Sequence, residues 1–209
     1  DISFGKITGY KEAKDYIYKI SEKGIIGEHP EWSLSTEALY AKVSVSKERN
    51  EYKTAVSYYS DENCTTAVET PVITNTYTAP TEGSAELAIQ KAATESWTGA
   101  IPDYFKFKLE AVTEGAPVPS NKEAANTGSK VTFEKITGYK EAKDYIYKIS
   151  ETGIIGEHPE WTVSSDVLYA KVSVRKEGNE YKTKVSYYSD ENCKTAVETP
   201  VITNTYTAP

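Results

Sequence analysis

The sequence predicts an all-β protein: two tandem antiparallel sandwich domains, the first lacking its opening strands. Three observations carry that expectation. Apolar and polar residues alternate with period two in segment after segment. Seventeen tyrosines, with abundant Thr and Val and few leucines, suit pleated, half-buried surfaces. Residues 1–80 and 130–209 align without a gap, about 66 of the 80 pairs being identical, and such self-similarity marks tandem copies of one structural unit.

The run GYKEAKDYIYKISE and the ending ETPVITNTYTAP occur in both copies and fix the register, whereas residues 81–129 occur once. That single-copy segment holds SAELAIQKAATESW and DYFKFKLEAV, which both read as strands. The second points Phe105, Phe107 and Leu109 inward and Lys106 and Lys108 outward. Next, EKITGY supplies a turn through Gly138, and YIYKISE is a strand. TVSSDVLY holds a short turn or helical piece, and no long amphipathic helix is evident. VLYAKVSVRK and EYKTKVSYYS flank Glu177-Gly178-Asn179, which reads as a hairpin turn. VITNTY closes the unit. About six to nine short strands over 81–209 describe an immunoglobulin-like sandwich. The expected division is an incomplete repeat at 1–80 and a complete one at 81–209, joined through the short linker TYTAPTEGS. The strands missing from the first repeat are either truncated or supplied by another molecule.

Several function classes are argued against. A net charge of −7 is the wrong sign for a nucleic-acid partner, and no apolar run is long enough to span a membrane. No signal peptide opens the chain, which therefore reads as a mature fragment. Cys64 and Cys193 occupy equivalent places, one per repeat, and read as loop residues, with an inter-domain disulfide as the alternative. The sequon Asn63-Cys64-Thr65 is broken in the second copy by Lys194, so it reads as chance. His29 and His158, one per copy of GIIGEHPEW, belong to a turn built on Pro30 and Pro159. No metal and no cofactor are expected. No Ser-His-Asp order, phosphate loop or zinc spacing points to a conventional enzyme.

Strand parity raises a different chemistry, because alternate side chains of a strand share a face. Tyr145, Tyr147 and Ile149 share a face that continues to Glu151. Leu87 and Ile89 share theirs with Lys91, and Ile202 and Tyr206 share theirs with Asn204. Three polar side chains thus fall at apolar-face positions on the first, a middle and the last strand of the complete unit. Each has an ordinary alternative: an exposed edge lysine, a strand-end carboxylate in water, a turn asparagine. A buried lysine has a lowered pKa and becomes a nucleophilic amine. A buried glutamic acid has a raised pKa and can shuttle protons. Together they can condense Lys91 with the Asn204 carboxamide, Glu151 acting as acid and base, to leave an isopeptide cross-link and ammonia.

The order AIQK, FKFKLE, VTFEKITGY, YIYKISE, LYAKVSV, VITNTY resembles the pilin isopeptide-linkage domain of Gram-positive bacteria, found in streptococcal major pilins and in wall-anchored repeat proteins. The resemblance covers 84–207, and its later two-thirds recurs in 3–78. It places the family's lysine at Lys91, its glutamate at Glu151 and its asparagine at Asn204. It implies a spontaneous intramolecular bond and service as a stalk or shaft at the bacterial cell surface or wall, with neighbouring repeats or subunits of the same fibre as partners. The first repeat keeps Glu22 and Asn75 but has no matching lysine; Lys6 corresponds to Lys135, on a different strand, two places after an inward Phe4. A strand donated by another chain would be needed to complete that set. The alternative function is an adhesin module binding a host glycan or protein through Trp32, Trp97, Trp161 and the tyrosines, which otherwise plug the ends of the sandwiches.

Overall fold

The computed structural model describes residues 2–208. The chain divides into two compact units, one ending at Thr78 and the other beginning at Ala79. The first contains β1 (Asp15–Ser21), β2 (Trp32–Ser33), β3 (Ala38–Glu48), β4 (Glu51–Tyr59), β5 (Ala67–Val68) and β6 (Thr76–Tyr77). The second contains β7 (Gly83–Ala85), β8 (Ala88–Ala93), β9 (Phe105–Ala111), β10 (Glu123–Thr127), β11 (Lys130–Thr132), β12 (Ile136–Tyr139), β13 (Asp144–Ile154), β14 (Trp161–Thr162), β15 (Val167–Glu177), β16 (Glu180–Tyr188), β17 (Ala196–Val197) and β18 (Val201–Tyr206). No helix occurs among the described residues, so the protein is all-β.

The second unit has two layers. One runs β14-β18-β8-β11, the other β9-β13-β15-β16-β17, and β10 joins them. Glu123 to Ala125 of β10 pair with β9, while Asn126 and Thr127 pair with β11. The inward rows come from strict alternation. β13 buries Tyr145, Tyr147, Ile149 and Glu151, and β15 buries Leu168, Ala170, Val172 and Val174. Leu87 and Ile89, beside β18's Ile202, face them from the other layer as part of one apolar core. Two buried tyrosines complete that core without an unpaired hydroxyl: Tyr139 and Tyr147 bond to each other at 2.8 Å, and Tyr147 donates to the Pro117 carbonyl at 2.7 Å. Burial pushes the Tyr139 hydroxyl up to about 12, so both remain donors at any physiological pH.

Three expectations need correction. The second unit has more strands than six to nine, because short pairs such as β14–β18 and β7–β12 add ladders two to four residues long. Gly138 makes no turn; it lies within β12 at φ +93°, where the ladder to β7 shifts register between Thr137 and Tyr139. That is a β-bulge, and its positive φ suits glycine. Phe4 is not inward: it is 69% exposed, whereas its equivalent Phe133 is 2% exposed. The difference is local, since the Phe133 amide donates to the Leu87 carbonyl, and the first unit has no counterpart of Leu87. By contrast, the hairpin at Gly178-Asn179 joins β15 and β16 as expected, with Glu177 opposite Glu180.

Asn126 clamps the crossing strand. Its Oδ1 accepts the Phe105 amide at 2.9 Å, and its Nδ2 donates to the Pro102 and Gly128 carbonyls, each at 2.7 Å. Asn126→Ala strands a buried donor and should cost the second unit about 2–3 kcal/mol. A lowered urea midpoint with an unchanged slope would register that loss, and an unchanged midpoint would show that the clamp contributes nothing.

Candidate functional site

β8, near the start of the second unit, and β18, its last strand, lie side by side and parallel, with Ile202 opposite Lys91 and Asn204 opposite Ala93. Parallel neighbours need a long crossover, and here the crossover is the remainder of the unit. β13, in the facing layer, carries Glu151 beside a register shift between Glu151 and Gly153. The structure brings the three side chains together in the core: Lys91 is 1%, Glu151 7% and Asn204 0% exposed.

The Lys91 Nζ donates to Asn204 Oδ1 at 2.7 Å, to the Ala92 carbonyl at 2.8 Å and to the Ile202 carbonyl at 3.2 Å. Asn204 Nδ2 donates in turn to Glu151 Oε1 at 2.7 Å. The other carboxylate oxygen, Oε2, has no hydrogen-bond partner and lies 3.9 Å from Nζ. The Phe105 ring closes the site, its centroid 4.5 Å from Nζ. Amine, carboxamide and carboxyl thus form a contiguous triangle with apolar walls.

Burial dominates the electrostatics. It pushes the Lys91 amine down to about 8, against the pull of Glu151 and of the more distant Asp166. Burial also pushes the Glu151 carboxyl up; the Asn204 amide, the Lys91 charge and the Ser164 backbone N–H pull it back, and Asp166 adds to the rise. The two proton affinities are thus shifted towards each other, which favours exchange of a proton between amine and carboxyl. Chemically, such a set suits deprotonation of the amine and protonation of the carboxamide nitrogen.

In the first unit Asn75 Nδ2 donates to Glu22 Oε1 at 2.8 Å, repeating half of the arrangement. The Asn75 carbonyl oxygen accepts the Ser35 backbone N–H at 2.9 Å where Asn204 has a lysine, and both residues are only half-buried. Lys6 is exposed and contributes nothing. Cys64 and Cys193 are free thiols. His158 stacks on Tyr104 at 3.9 Å and bonds to Glu160 at 3.2 Å. Among the described residues no cluster of acidic, His or Cys side chains is arranged to hold a metal.

Sequence reasoning passed over part of the setting. Phe105 read only as an inward residue, and the Ala92 and Ile202 carbonyls that hold Nζ carry no signature. Asp166 and the Ser164 amide sit on an irregular loop with no periodicity to mark them.

A sandwich with an amine, an acid and a carboxamide in one dry pocket is the arrangement expected of an isopeptide-forming domain. The chain belongs to the FctA family, described as the Spy0128-like isopeptide containing domain, whose model matches residues 87–207; this agrees with the pilin-type resemblance of the sequence. The match spans Lys91, Glu151 and Asn204. Two solved structures also align. One is a variant of the major pilin from Streptococcus pyogenes, 15% identical with a TM-score of 0.34, covering 95% of this chain and 71% of that one. The other is the major pilin protein T-13 of Streptococcus pyogenes, 16% identical with a TM-score of 0.30, covering 95% and 69%. No curated protein matches the chain.

With the electrophile removed by Asn204→Ala, the Lys91 amine should remain free and titrate near pH 8, far below the ordinary 10.5. Carbon NMR of the lysine side chains would follow it. Titration of every lysine above pH 10 would remove the electrostatic basis of the site.

Proposed function

We propose that residues 81–209 form a shaft module of a bacterial surface protein or pilus, locked by a self-made isopeptide bond between Lys91 and Asn204. Residues 1–80 are then an incomplete copy of the same module. One observation carries the reading: Lys91 Nζ meets the Asn204 carbonyl at 2.7 Å while Glu151 accepts from the amide nitrogen that must leave, at 2.7 Å.

The chemistry follows from those contacts. Glu151 takes a proton from the Lys91 ammonium, which leaves a neutral nucleophile and a protonated acid. Nζ bonds to the Asn204 side-chain carbon, and the carbonyl oxygen takes up negative charge. Glu151 then delivers a proton to Nδ2 and receives the second proton of the amine. The carbon–Nδ2 bond breaks and ammonia departs, leaving a secondary amide. Atoms and charge balance without a metal, an oxidant or any other reactant. Glu151 is the catalytic residue and acts once.

The cross-link joins positions 113 residues apart, and on the chain-entropy model closing a loop of that size limits the unfolded state by about 4–5 kcal/mol. The mechanical effect is larger in kind. Tension entering at β8 and leaving at β18 passes through one amide and bypasses the strands between. An amide, unlike a disulfide, is not reduced by thiols. Those properties suit the outside of a Gram-positive cell, in a stalk whose partners are its own neighbouring modules. The adhesin reading draws less support, because Trp97 and Trp161 spend their faces on each other and on Tyr206 and Phe105, at centroid distances of 4.8 to 5.3 Å.

The intact chain should weigh one ammonia less than its sequence, with Lys91 and Asn204 joined in a peptide map. Glu151→Ala and Lys91→Ala should each restore the full mass while leaving the fold all-β. A full mass in the unsubstituted chain, or a bond that survives Glu151→Ala, would refute the reading.

The rate of ammonia loss should trace a bell when denatured, unlinked chain is refolded at different pH values. Between the two pKa values the reactive neutral pair is a tautomer of the ion pair, so its share does not change with pH. Below the Glu151 value, which lies above 4.5, both groups hold protons and the amine is blocked. Above about 8 the acid has lost its proton and the leaving group goes unassisted. A rate that climbs steadily to pH 10 would exclude the glutamic acid from the reaction.

A further inference from the structure

The loop between β14 and β15, residues 163–166, bridges the two side chains that face Lys91. At its start the ladder of β14 with β18 ends at Thr162 opposite Thr205, one residue short of Asn204. At its finish the ladder of β15 with β13 ends at Val167 opposite Ser150, one residue short of Glu151. The loop's own amides are thus released from sheet pairing between the carboxamide and the carboxyl. Ser164 is half-buried while Val163, Ser165 and Asp166 are exposed. Its hydroxyl accepts the Asp166 N–H at 3.2 Å, which fixes the turn.

The Ser164 N–H donates to the Glu151 carboxylate. The first unit carries the same turn at residues 34–37, where the Glu37 N–H donates to the Ser35 hydroxyl at 3.2 Å. There the equivalent N–H, that of Ser35, donates to the Asn75 carbonyl oxygen at 2.9 Å, while Asn75 still donates to Glu22. One loop geometry therefore lets one amide reach either acceptor. Those acceptors are the two groups between which negative charge travels in the condensation. It starts on the Glu151 carboxylate and, once Nζ has attacked, rests on Asn204 Oδ1. Beforehand Nζ donates to Oδ1 at 2.7 Å, but it gives up N–H groups as it loses protons and bonds to carbon. A donor aimed where charge develops stabilises the transition state more than the ground state.

We propose that the Ser164 backbone N–H is the oxyanion donor of the Lys91–Asn204 condensation, passing from Glu151 to Asn204 Oδ1 as the charge does and staying on the carbonyl of the finished amide. The proposal rests on the cross-link reading and concerns the second unit alone. As Nζ bonds to the side-chain carbon, the π pair of the carbonyl moves onto Oδ1. It returns when the carbon–Nδ2 bond breaks and ammonia leaves, with Glu151 carrying the protons as described above. The transfer also strengthens the base when it is needed, because a carboxylate that loses a donor binds its proton more firmly.

The test replaces the Val163–Ser164 peptide bond by an ester in a full-length chain assembled under denaturing conditions, which removes the N–H and keeps the side chain. Intact mass then follows ammonia loss on refolding. The ester chain should fold to the parent's β-sheet spectrum and close about 100-fold more slowly or worse, the usual scale for one oxyanion donor. Ser164→Ala, which keeps the N–H, should close near the parent rate. In the ester chain the acid limb of the rate profile should move to higher pH. The lost N–H is one of the bonds that hold the Glu151 carboxyl down, and the other groups acting on it, Lys91, Asn204 and Asp166, are unchanged. A folded ester chain that closes at the parent rate, or one slowed with its acid limb unmoved, would overturn the proposal and leave the cross-link standing. A second measurement needs no substitution: in the finished, isotope-labelled chain, a through-hydrogen-bond NMR coupling should join the Ser164 nitrogen to the Asn204 side-chain carbon. A coupling to the Glu151 carboxyl carbon instead, or none, overturns the transfer. If the unsubstituted chain loses no ammonia, the cross-link reading itself has failed and the donor role falls with it.

Discussion

Removing a lysine amine from water is costly when it stays charged, and the second unit is organised around how that cost is met. Nζ keeps three hydrogen-bond acceptors and a carboxyl group within 3.9 Å. The acceptors come from β8 and β18 and the carboxyl from β13, so three strands must be in register for any of the polar groups to be tolerable. Removing one partner would leave a charge or a dipole exposed to the apolar core. These groups sit within a core in which Leu87, Phe105, Tyr147 and Ile202 are all fully buried, and the Phe105 ring and the Ile202 carbonyl lie against Nζ itself.

A comparison inside the chain separates what the strands impose from what the lysine adds. Glu22 and Asn75 reproduce the carboxyl–carboxamide contact almost to the distance, so that contact depends on the repeated part of the sequence and not on the opening segment. Burial does depend on the segment. Without it the carboxamide and the carboxyl are half-exposed, Phe4 turns out to water, and Trp32 stays exposed where Trp161 is buried. The repeated strands place the carboxamide against the carboxyl, and the single-copy segment supplies both the lysine and the burial.

Much of this is legible in the sequence. The alternation in FKFKLE and YIYKIS is a direct consequence of strand geometry, and the same parity argument placed Lys91, Glu151 and Asn204 inward. Less legible were features with no period. The parallel pairing of β8 with β18 is a long-range contact that leaves no local trace. Gly138 read as a turn because glycine marks turns and bulges alike, and only the ladder to β7 decides between them. Phe4 obeyed the right parity and still ended in solvent, because alternation tells which way a side chain points and not whether anything lies there to cover it. Nothing in the sequence marks Asn126, and its role as a clamp follows from β10 crossing between layers.

The burial of Lys91 also bears on fidelity. On the proposed chemistry, an amide closed in this pocket would not readily reopen, and the step would behave as a one-way gate whose key is correct packing. A copy with a slipped strand or a wet interior would keep its ammonium charged and remain unsealed, visible to proteases as an open chain. Assembly would then leave a permanent chemical record in each module of whether its interior had once been built correctly.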